Sequence, residues 1–303
     1  MEPNWQLARK KPILEKRARI VQAVRVFFVA RNYLEVETPH RIPGNAPEPH
    51  IDAVPADDWY LHTSPELAMK RLVAAGYERL FQICRVWRRG ERGSRHVPEF
   101  TLLEWYRSQV DYTALMGECE ELLRALVPDG SLTWRGHRIA LAPPWERLTV
   151  AEAFARYASV GLEESLAAGN FDEILALEVE PHLGRRKPTF LTEYPAALAA
   201  LARKKPGNPQ VAERFELYIA GLELANAFSE LTDPEEQRER FSRDEAERRS
   251  TGKAPYPLPE KFLRELATMP QTAGIALGVD RMVMLLTDAE TIDEVVAFIP
   301  EEL

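Results

Sequence analysis

Two long apolar segments joined by a short, arginine-rich loop limit the folds open to this chain more than any other feature. Residues 80–88 and 99–106 are rich in bulky and β-branched side chains, and residues 90–94 between them are rich in turn formers. This pattern predicts a β-hairpin. Together with a second long apolar run at 215–231, it favours an antiparallel sheet flanked by helices, an α+β fold.

Hydrophobic periodicity and capping residues predict most of the other elements. Asn32 would end the first helix in a left-handed conformation, and Gly76 would stop the second. The run 215–231 reads as a single strand with a bulge at Gly221. The other predicted helices and strands are helices at 13–31, from 66 to Gly76, 112–126, 233–249, 261–269 and 280–287, and strands at 33–38 and 274–278.

Length and composition exclude several classes of protein. The 303 residues allow one large domain or two, and no apolar run is long enough to span a bilayer. Because the start of the chain has no apolar core, we expect no signal peptide and a cytoplasmic protein. The two cysteines and six histidines have no zinc or disulfide spacing, and the net charge of −8 argues against a general nucleic-acid coat.

Positive charge is nevertheless concentrated in two segments. Residues 1–31 hold eight Lys and Arg against two Glu, a balance of +6, and residues 85–95 hold five Arg against one Glu, a balance of +4. Each segment is explained either as a charged face exposed to solvent or as a binding site for a partner. We hypothesise that the first segment docks an acidic protein, so that charge reversal at Arg17 and Arg19 would weaken that contact.

The hairpin carries the first group of chemically useful residues. Alternation places Phe100, Leu102, Glu104 and Tyr106 on one face of its second strand, and Cys84, Val86 and Arg88 share a face of the first. Such a face offers an anion clamp, an aromatic ring for a base, and a carboxylate and a phenol for an ammonium group. An ordinary amphipathic hairpin, with Glu104 paired to a structural arginine, is the alternative.

The apolar run 215–231 carries the second group. Glu216, Glu223 and Glu230 stand among apolar residues, where carboxylates are costly unless paired or bound to metal. Asn226, Phe228 and Glu230 follow one another at every second position, so their side chains should point to the same face of a strand. Mg²⁺ bridging phosphates would suit Glu216 and Glu223, whereas ion pairs to arginines such as Arg214 are the alternative.

These segments, with GIALGVDRM at 274–282, resemble the three ordered motifs of class II aminoacyl-tRNA synthetases, in the lysyl subgroup. The helix 13–31 followed by EVETP resembles motif 1, the hairpin with Arg88 and HVPEFTLLEWY resembles motif 2, and GIALGVDRM with Arg281 resembles motif 3. TSPELAMKRL and ELANAFSEL resemble the amino-acid pocket of the lysyl enzymes. The resemblance covers roughly residues 13–300 and is weakest at 150–185.

Motif 1 begins almost at the first residue, which leaves no room for the N-terminal anticodon-binding OB-fold of lysyl-tRNA synthetases. We therefore expect a single catalytic domain over 1–303. A catalytic core of this kind resembles the elongation factor P–(R)-β-lysine ligases. Ser64, and Ala276 in place of the middle glycine of motif 3, favour the same branch of the family.

The resemblance implies a role for each matching position, with Arg88 and Arg281 as the catalytic residues and Glu216 and Glu223 as Mg²⁺ ligands. Phe100 would stack on adenine, and Arg281 would cover its other face or reach the γ-phosphate. The residues implied in ATP binding are Arg88, Arg89, Gly90, His96, Val97, Phe100, Glu223, Leu224, Gly278 and Arg281. The residues implied in the substrate pocket are Ser64, Pro65, Glu66, Glu104, Tyr106, Asn226 and Glu230.

Two departures from the family pattern affect motif 2. The usual Arg-Asn-Glu is Arg88-Arg89-Gly90 here, so its glutamate is missing, although Glu91 is the next residue. The usual His-Asn-Pro-Glu has Val97 in place of Asn. We expect altered nucleotide contacts rather than an inactive enzyme.

The implied reaction activates lysine or (R)-β-lysine with ATP and transfers it to a lysine of elongation factor P, in a homodimer. The alternatives are a truncated lysyl-tRNA synthetase that acylates tRNA and a non-catalytic paralogue that senses an amino acid.

Overall fold

The computed structural model describes residues 5–303. Its helices are α1 (Trp5–Val29), α2 (Glu66–Ala74), α3 (Tyr112–Leu126), α4 (Val150–Tyr157), α5 (Leu162–Ala168), α6 (Phe171–Ile174), α7 (Pro234–Ser250), α8 (Glu260–Leu266) and α9 (Val279–Thr287). Its strands are β1 (Leu34–Glu35), β2 (Arg41–Ile42), β3 (Pro55–Ala56), β4 (Trp59–Leu61), β5 (Arg79–Trp87), β6 (Glu99–Ser108), β7 (Ser131–Trp134), β8 (His137–Ala140), β9 (Glu146–Thr149), β10 (Thr189–Thr192), β11 (Lys204–Lys205), β12 (Asn208–Ala212), β13 (Arg214–Ile219), β14 (Leu222–Ser229) and β15 (Thr272–Gly278).

The main sheet has eight strands in the order β1-β5-β6-β15-β14-β13-β10-β9. The six strands from β5 to β10 are antiparallel to their neighbours, and the two outermost pairs, β1 with β5 and β9 with β10, are parallel. The expected antiparallel sheet flanked by helices is therefore confirmed at the centre, with a parallel strand added at each edge.

One face of this sheet is covered by α1, α3 and α9, and the apolar core lies between. Along β6, Leu103 and Trp105 enter this core and are fully buried. The intervening residues Leu102, Glu104 and Tyr106 point to the opposite face, which is open over part of its area. The period-two pattern of the strand thus separates an apolar side that stabilises the fold from a polar side that is free for chemistry.

Helix α1 confirms the predicted motif but begins earlier and ends at Val29. Its residues Val24, Phe27 and Phe28 are buried, and the ring of Phe28 stacks on Phe81 with centroids 5.0 Å apart. Asn32 has a φ of 60°, the left-handed conformation expected after the helix. The strand predicted at 33–38 is short, because only Leu34–Glu35 pairs with β5.

The run 215–231 is interrupted at Gly221 as predicted, but by a turn between two strands and not by a bulge within one. The segment forms the antiparallel hairpin β13–β14, in which Ile219 pairs with Leu222. Ala220 and Gly221 between them have φ values of 56° and 73°, so they form a two-residue turn of the type that needs two positive φ angles. The single bulge in this hairpin falls instead between Leu217 and Tyr218.

The hypothesis that Arg17 belongs to an exposed docking surface is also wrong. Its Nη1 lies 2.5 Å from Oδ1 of Asp280, and its Nη2 donates to Oγ1 of Thr101 at 2.8 Å. Asp280 is buried and also accepts the Thr101 N–H at 2.6 Å. Arg17 therefore ties α1 to β6 and α9, because a buried carboxylate needs a cation and hydrogen-bond donors. Arg19 is exposed.

Within residues 5–303, no helix combines the length and the apolar character needed to cross a bilayer.

Candidate active site

The open face of the sheet forms the floor of a cavity of about 560 Å³. Most of the site residues expected from sequence line this cavity: Ser64, Glu66, Arg88, His96, Val97, Phe100, Glu104, Tyr106, Glu216, Glu223, Leu224, Asn226, Glu230, Gly278 and Arg281. Pro65, Arg89 and Gly90 do not line it, and the last two are exposed. Glu91, the neighbour of the missing motif 2 carboxylate, does line it.

One end of the cavity is an acidic pocket formed by Ser64, Glu66, Glu104, Tyr106 and Glu230. Ser64 Oγ donates to Glu104 Oε1 at 2.5 Å, and Tyr106 Oη donates to Glu104 Oε2 at 3.0 Å. Ser64 Oγ also accepts the Glu66 N–H at 3.0 Å at the start of α2. The helix start and the strand β6 thereby fix the Glu104 carboxylate in one orientation.

Lys70 supplies the positive charge of the acidic pocket. Its Nζ lies 2.5 Å from Glu66 Oε1 and 2.6 Å from Glu230 Oε2, and its side chain is 1% exposed. Burial would lower the pKa of Lys70, but the carboxylates of Glu230 and Glu66 more than offset this and raise it. Lys70 is therefore a permanent cation and cannot act as a base near neutral pH.

Three carboxylates against one ammonium leave an excess of two negative charges in the acidic pocket when all are ionised. Burial, and then the charge of Glu66, raise the pKa of Glu104 to about 8. Burial is also the main cause that raises the pKa of Glu230 to about 8, although Lys70 lowers it. A cationic ligand would stabilise both ionised carboxylates, so the pocket is suited to an ammonium group.

The other end of the cavity carries arginines and an aromatic ring. Arg88 follows β5, and its guanidinium carbon lies 5.2 Å from the ring centroid of Phe100 on β6. Its Nε is 3.5 Å from the carbonyl oxygen of Thr63. In this structure Arg88, rather than Arg281, is the arginine over Phe100.

Arg281 lies at the start of α9 and joins three elements. Its Nη1 donates to Glu223 Oε2 at 3.1 Å and to the Glu223 carbonyl oxygen at 2.9 Å, and its Nη2 contacts His96 Nε2 at 2.6 Å. Burial, and then the charges of Arg281, Arg88 and Arg95, lower the pKa of His96 to about 4. His96 is thus neutral near pH 7 and accepts a hydrogen bond from Arg281.

Glu216 and Glu223 stand on the two strands of the β13–β14 hairpin. Glu216 accepts hydrogen bonds from Tyr218 Oη at 2.6 Å and from Arg214 Nη2 at 2.7 Å. Glu180 Oε1 lies 3.1 Å from the same Tyr218 hydroxyl. Burial, and then repulsion from Glu223, raise the pKa of Glu216, and the same causes raise that of Glu180 to about 7.

These carboxylates fit a magnesium ion that also binds phosphates. Within residues 5–303, no group of three or more acidic, histidine or cysteine side chains surrounds a common point. Mg²⁺ is commonly held by one or two carboxylates together with substrate phosphates and water, so two converging carboxylates are sufficient. The mutual repulsion between Glu216 and Glu223 is the electrostatic feature that a divalent cation would relieve.

The glycine of β15 that faces the acidic pocket serves the protein itself. A Cβ on Gly274 would lie 2.3 Å from Glu230 Oε1 and 2.3 Å from Tyr106 Cε1. Gly274 therefore needs to lack a side chain, because those of Tyr106 and Glu230 occupy that space. Ala276 on the same strand lies in register with Glu104 and Asn226 and lines the cavity.

Sequence reasoning missed Lys70 and Glu180. Glu66 and Lys70 are four residues apart on α2, and side chains at this spacing contact each other on a helix. The sequence TSPELAMKRL therefore contains the signal that predicts this pair. Glu180 lies in the segment 149–200, where periodicity gave no assignment. It approaches Glu216 only because Tyr218 bridges them across elements distant in sequence.

The antiparallel sheet carries arginine, aromatic and acidic side chains over one cavity. The sequence as a whole is also similar to a known protein family. The chain belongs to the class II tRNA synthetases (D, K and N), whose family model matches residues 5–302.

Three similar members of this family carry two names between them. The chain is 38% identical to the elongation factor P–(R)-β-lysine ligase of Erwinia tasmaniensis, over 97% of this chain and 97% of the relative. It is 39% identical to the ligase of the same name from Salmonella gallinarum, again over 97% of both chains. It is also 38% identical to the lysine–tRNA ligase of Moorella thermoacetica, over 95% of this chain but 65% of the relative.

Proposed function

We propose that this chain is an ATP-dependent, AMP-forming ligase that activates (R)-β-lysine or lysine and transfers it to a lysine side chain of elongation factor P. The two relatives with 38% and 39% identity over 97% of both chains carry the name of this activity. The lysine–tRNA ligase, of which the chain covers 65%, supports acylation of tRNA as the second candidate.

The observation that carries the proposal is the excess of carboxylates in the acidic pocket. Glu66, Glu104 and Glu230 face a single internal cation, Lys70, so two negative charges are uncompensated when all are ionised. Lysine and β-lysine each bring two ammonium groups and one carboxylate. Such a substrate can neutralise the pocket with its ammonium groups while its carboxylate points toward the arginines.

ATP would occupy the end of the cavity that carries Phe100, Arg88 and Arg281. Adenine would stack on Phe100, and the two guanidinium groups would bind phosphate oxygens by charge-assisted hydrogen bonds. Arg88, which lies over the Phe100 ring with its guanidinium carbon 5.2 Å from the centroid, has to move off that face when the base binds. Neutral His96 would hold Arg281 in position through their 2.6 Å contact.

Two displacement steps complete the reaction. An oxygen of the substrate carboxylate attacks the α-phosphorus of ATP, and the bond from that phosphorus to the oxygen bridging to the β-phosphorus breaks. Pyrophosphate leaves with the electron pair, and an aminoacyl-adenylate remains. The neutral ε-amine of the acceptor lysine then attacks the acyl carbon, AMP leaves, and the amine loses a proton as the amide forms. Positioning and charge stabilisation by Arg88 and Arg281 account for catalysis in the first step.

Glu216 and Glu223 would hold Mg²⁺, which supplies charge neutralisation on the phosphates when bound. Arg214 forms a 2.7 Å ion pair with Glu216 and so opposes the rise in the pKa of Glu216 that burial and Glu223 cause. Tyr218 orients the same carboxylate from the other side. Hydrogen bonds from Arg214 and Tyr218 thus position the Glu216 carboxylate, and one from Arg281 positions that of Glu223.

We also propose that the chain forms one catalytic domain, acts in the cytoplasm as a homodimer, and needs no anticodon-binding module. The cytoplasmic location is supported by a protein acceptor that takes part in translation.

Ser64 and Ala276 both border the acidic pocket, so each side chain narrows the space beside Glu104. The narrower space favours a substrate whose amino group is displaced from the α-position of lysine.

The proposal is tested by incubating the protein with ATP, each lysine isomer and elongation factor P, followed by intact-mass measurement. We expect elongation factor P to gain the mass of one lysyl group, with AMP released. Charging of tRNA without modification of elongation factor P would favour the second candidate. Failure to release AMP with any of these acceptors would favour the non-catalytic alternative.

The Arg88→Ala variant tests the site directly. We expect its lysine-dependent pyrophosphate exchange to fall by about 10²–10³-fold, because a preorganised donor to the reacting phosphate is lost. Arg85→Ala is the matched control, since Arg85 lies on β5, the strand that Arg88 follows, is exposed and does not line the cavity. Near-normal exchange in Arg88→Ala would refute the assignment of Arg88.

A further inference from the structure

A second cavity, of about 370 Å³, adjoins the end of the active-site cavity where Arg281 lies. Its lining includes Arg95, Arg135, His137 and Arg185, with Glu180 as an acidic neighbour. Arg135 belongs to the turn between β7 and β8, and Arg185 to the loop before β10. Three separate parts of the chain therefore bring guanidinium groups to one place.

These arginines are held by backbone carbonyl groups. Arg95 Nη1 donates to the Gly221 oxygen at 3.1 Å, Arg135 Nη2 donates to the Glu290 oxygen at 2.8 Å, and Arg185 Nε donates to the Pro181 oxygen. Within residues 5–303, none of the three guanidinium groups forms an ion pair with a carboxylate, although the backbone N–H of Arg135 donates to Asp288 Oδ1 at 2.7 Å. Carbonyl oxygens orient a guanidinium group but do not neutralise it, so remaining N–H donors are available to an anion.

Neighbouring arginines show the contrast. Arg92, three residues before Arg95, has its charge matched by Asp293 at 2.9 Å and Glu301 at 2.9 Å. Burial, and then the positive charge of Arg135, lower the pKa of Arg95, and Arg281 and Arg185 add to the effect. Glu180 opposes it only partly. The second cavity therefore carries a positive potential that an anion would relieve.

The two cavities share Arg95. Arg95 is adjacent in sequence to His96, and its carbonyl oxygen lies 3.4 Å from Arg281 Nε. A phosphate group bound by Arg281 would thus have Arg95 as its next cation, with Arg135 and Arg185 beyond it. The order of the side chains gives a path from the phosphate end of the active site to the second cavity.

We infer that Arg95, Arg135 and Arg185 form an exit site that binds inorganic pyrophosphate as it leaves the active site. The inference rests on the proposed function, because the activation step breaks the bond between the α-phosphorus and its bridging oxygen and releases pyrophosphate. Pyrophosphate carries several negative charges on oxygens that match the forked donors of arginine. Pyrophosphate would occupy this site after it leaves the reacting centre, and again on its way back in when activation runs in reverse.

The test compares the double variant Arg135→Gln/Arg185→Gln with the matched control Arg138→Gln/Arg186→Gln. Arg138 and Arg186 are exposed neighbours that do not line the second cavity. Equilibrium dialysis of labelled pyrophosphate against the full chain should give about tenfold weaker binding in the first variant and wild-type binding in the control. The affinity for ATP should be unchanged in both, which also shows that the variants are folded.

Lysine-dependent pyrophosphate exchange on the same preparations tests the exit site separately from the proposed function. The KM for pyrophosphate in exchange should rise about tenfold in Arg135→Gln/Arg185→Gln while the KM for ATP stays constant. Normal exchange together with unchanged pyrophosphate affinity in that variant would overturn the exit site alone. Absence of exchange in the wild-type protein would instead overturn the proposed function.

Discussion

Among single residues, Glu104 links the cavity most directly to pH. Its pKa is raised to about 8, first by burial and then by Glu66, whereas the same carboxyl in an unfolded chain has a value near 4.5. Between these values the folded protein holds a proton that the unfolded chain has lost. Protonation of Glu104 therefore stabilises the fold below pH 4.5, and this contribution is lost progressively as the pH rises to about 8.

We predict that Glu104→Gln flattens the pH dependence of stability in the substrate-free protein. Removing one titrating proton should change the slope of the unfolding free energy by about 1.4 kcal/mol per pH unit between pH 5 and 7.5. Urea denaturation at several pH values measures this slope. Glu99→Gln, at an exposed position on the same strand, serves as control. Parallel profiles for wild type and Glu104→Gln would contradict the raised pKa.

At the scale of elements, one buried ion pair links α1 to α9. Arg17 of α1 meets the buried Asp280 at 2.5 Å, at the first turn of the helix that also carries Arg281. Asp280 also accepts the Thr101 N–H of β6. Loss of the guanidinium would leave a buried carboxylate with only part of its hydrogen bonds, next to a residue proposed to bind ATP.

We predict that Arg17→Ala lowers the unfolding free energy by about 3 kcal/mol, the cost of leaving one partner of a buried ion pair behind. Arg19→Ala, two residues away and exposed, should change it by less than about 0.5 kcal/mol. Chemical denaturation of both variants provides the comparison. Equal stabilities would mean that Arg17 does not tie the helix to the sheet and would reopen a surface role for it.

For the whole molecule, the end of α1 and the start of β1 carry an exposed apolar patch formed by Val26, Val29 and Leu34. Their exposed fractions are 68%, 58% and 50%. These residues fall in the segment that resembles motif 1, which implies dimer formation. Val26 and Val29 are three residues apart on α1 and so share one helix face, and neighbouring exposed apolar side chains of this kind are typical of a protein interface.

We predict a homodimer in solution that Val26→Asp/Val29→Asp converts to monomer, with the dissociation constant raised about a hundredfold because two buried carboxylates would lack partners. Sedimentation velocity over a concentration series measures this shift. Lys16→Asp, an exposed change on another side of the same helix, should leave the dimer intact. A wild-type chain that sediments only as a monomer would refute the prediction.

Local sequence determined the elements of this protein and the faces of its strands. Alternation on β6 separates Glu104 and Tyr106 from Leu103 and Trp105, because successive side chains of a strand point to opposite faces whatever surrounds them. Tertiary structure alone decided which charges meet across distant elements. Lys70 neutralises Glu230, and Arg17 neutralises Asp280, across separations of 160 and 263 residues, because the free energy of burying a carboxylate selects whichever cation the packing brings near.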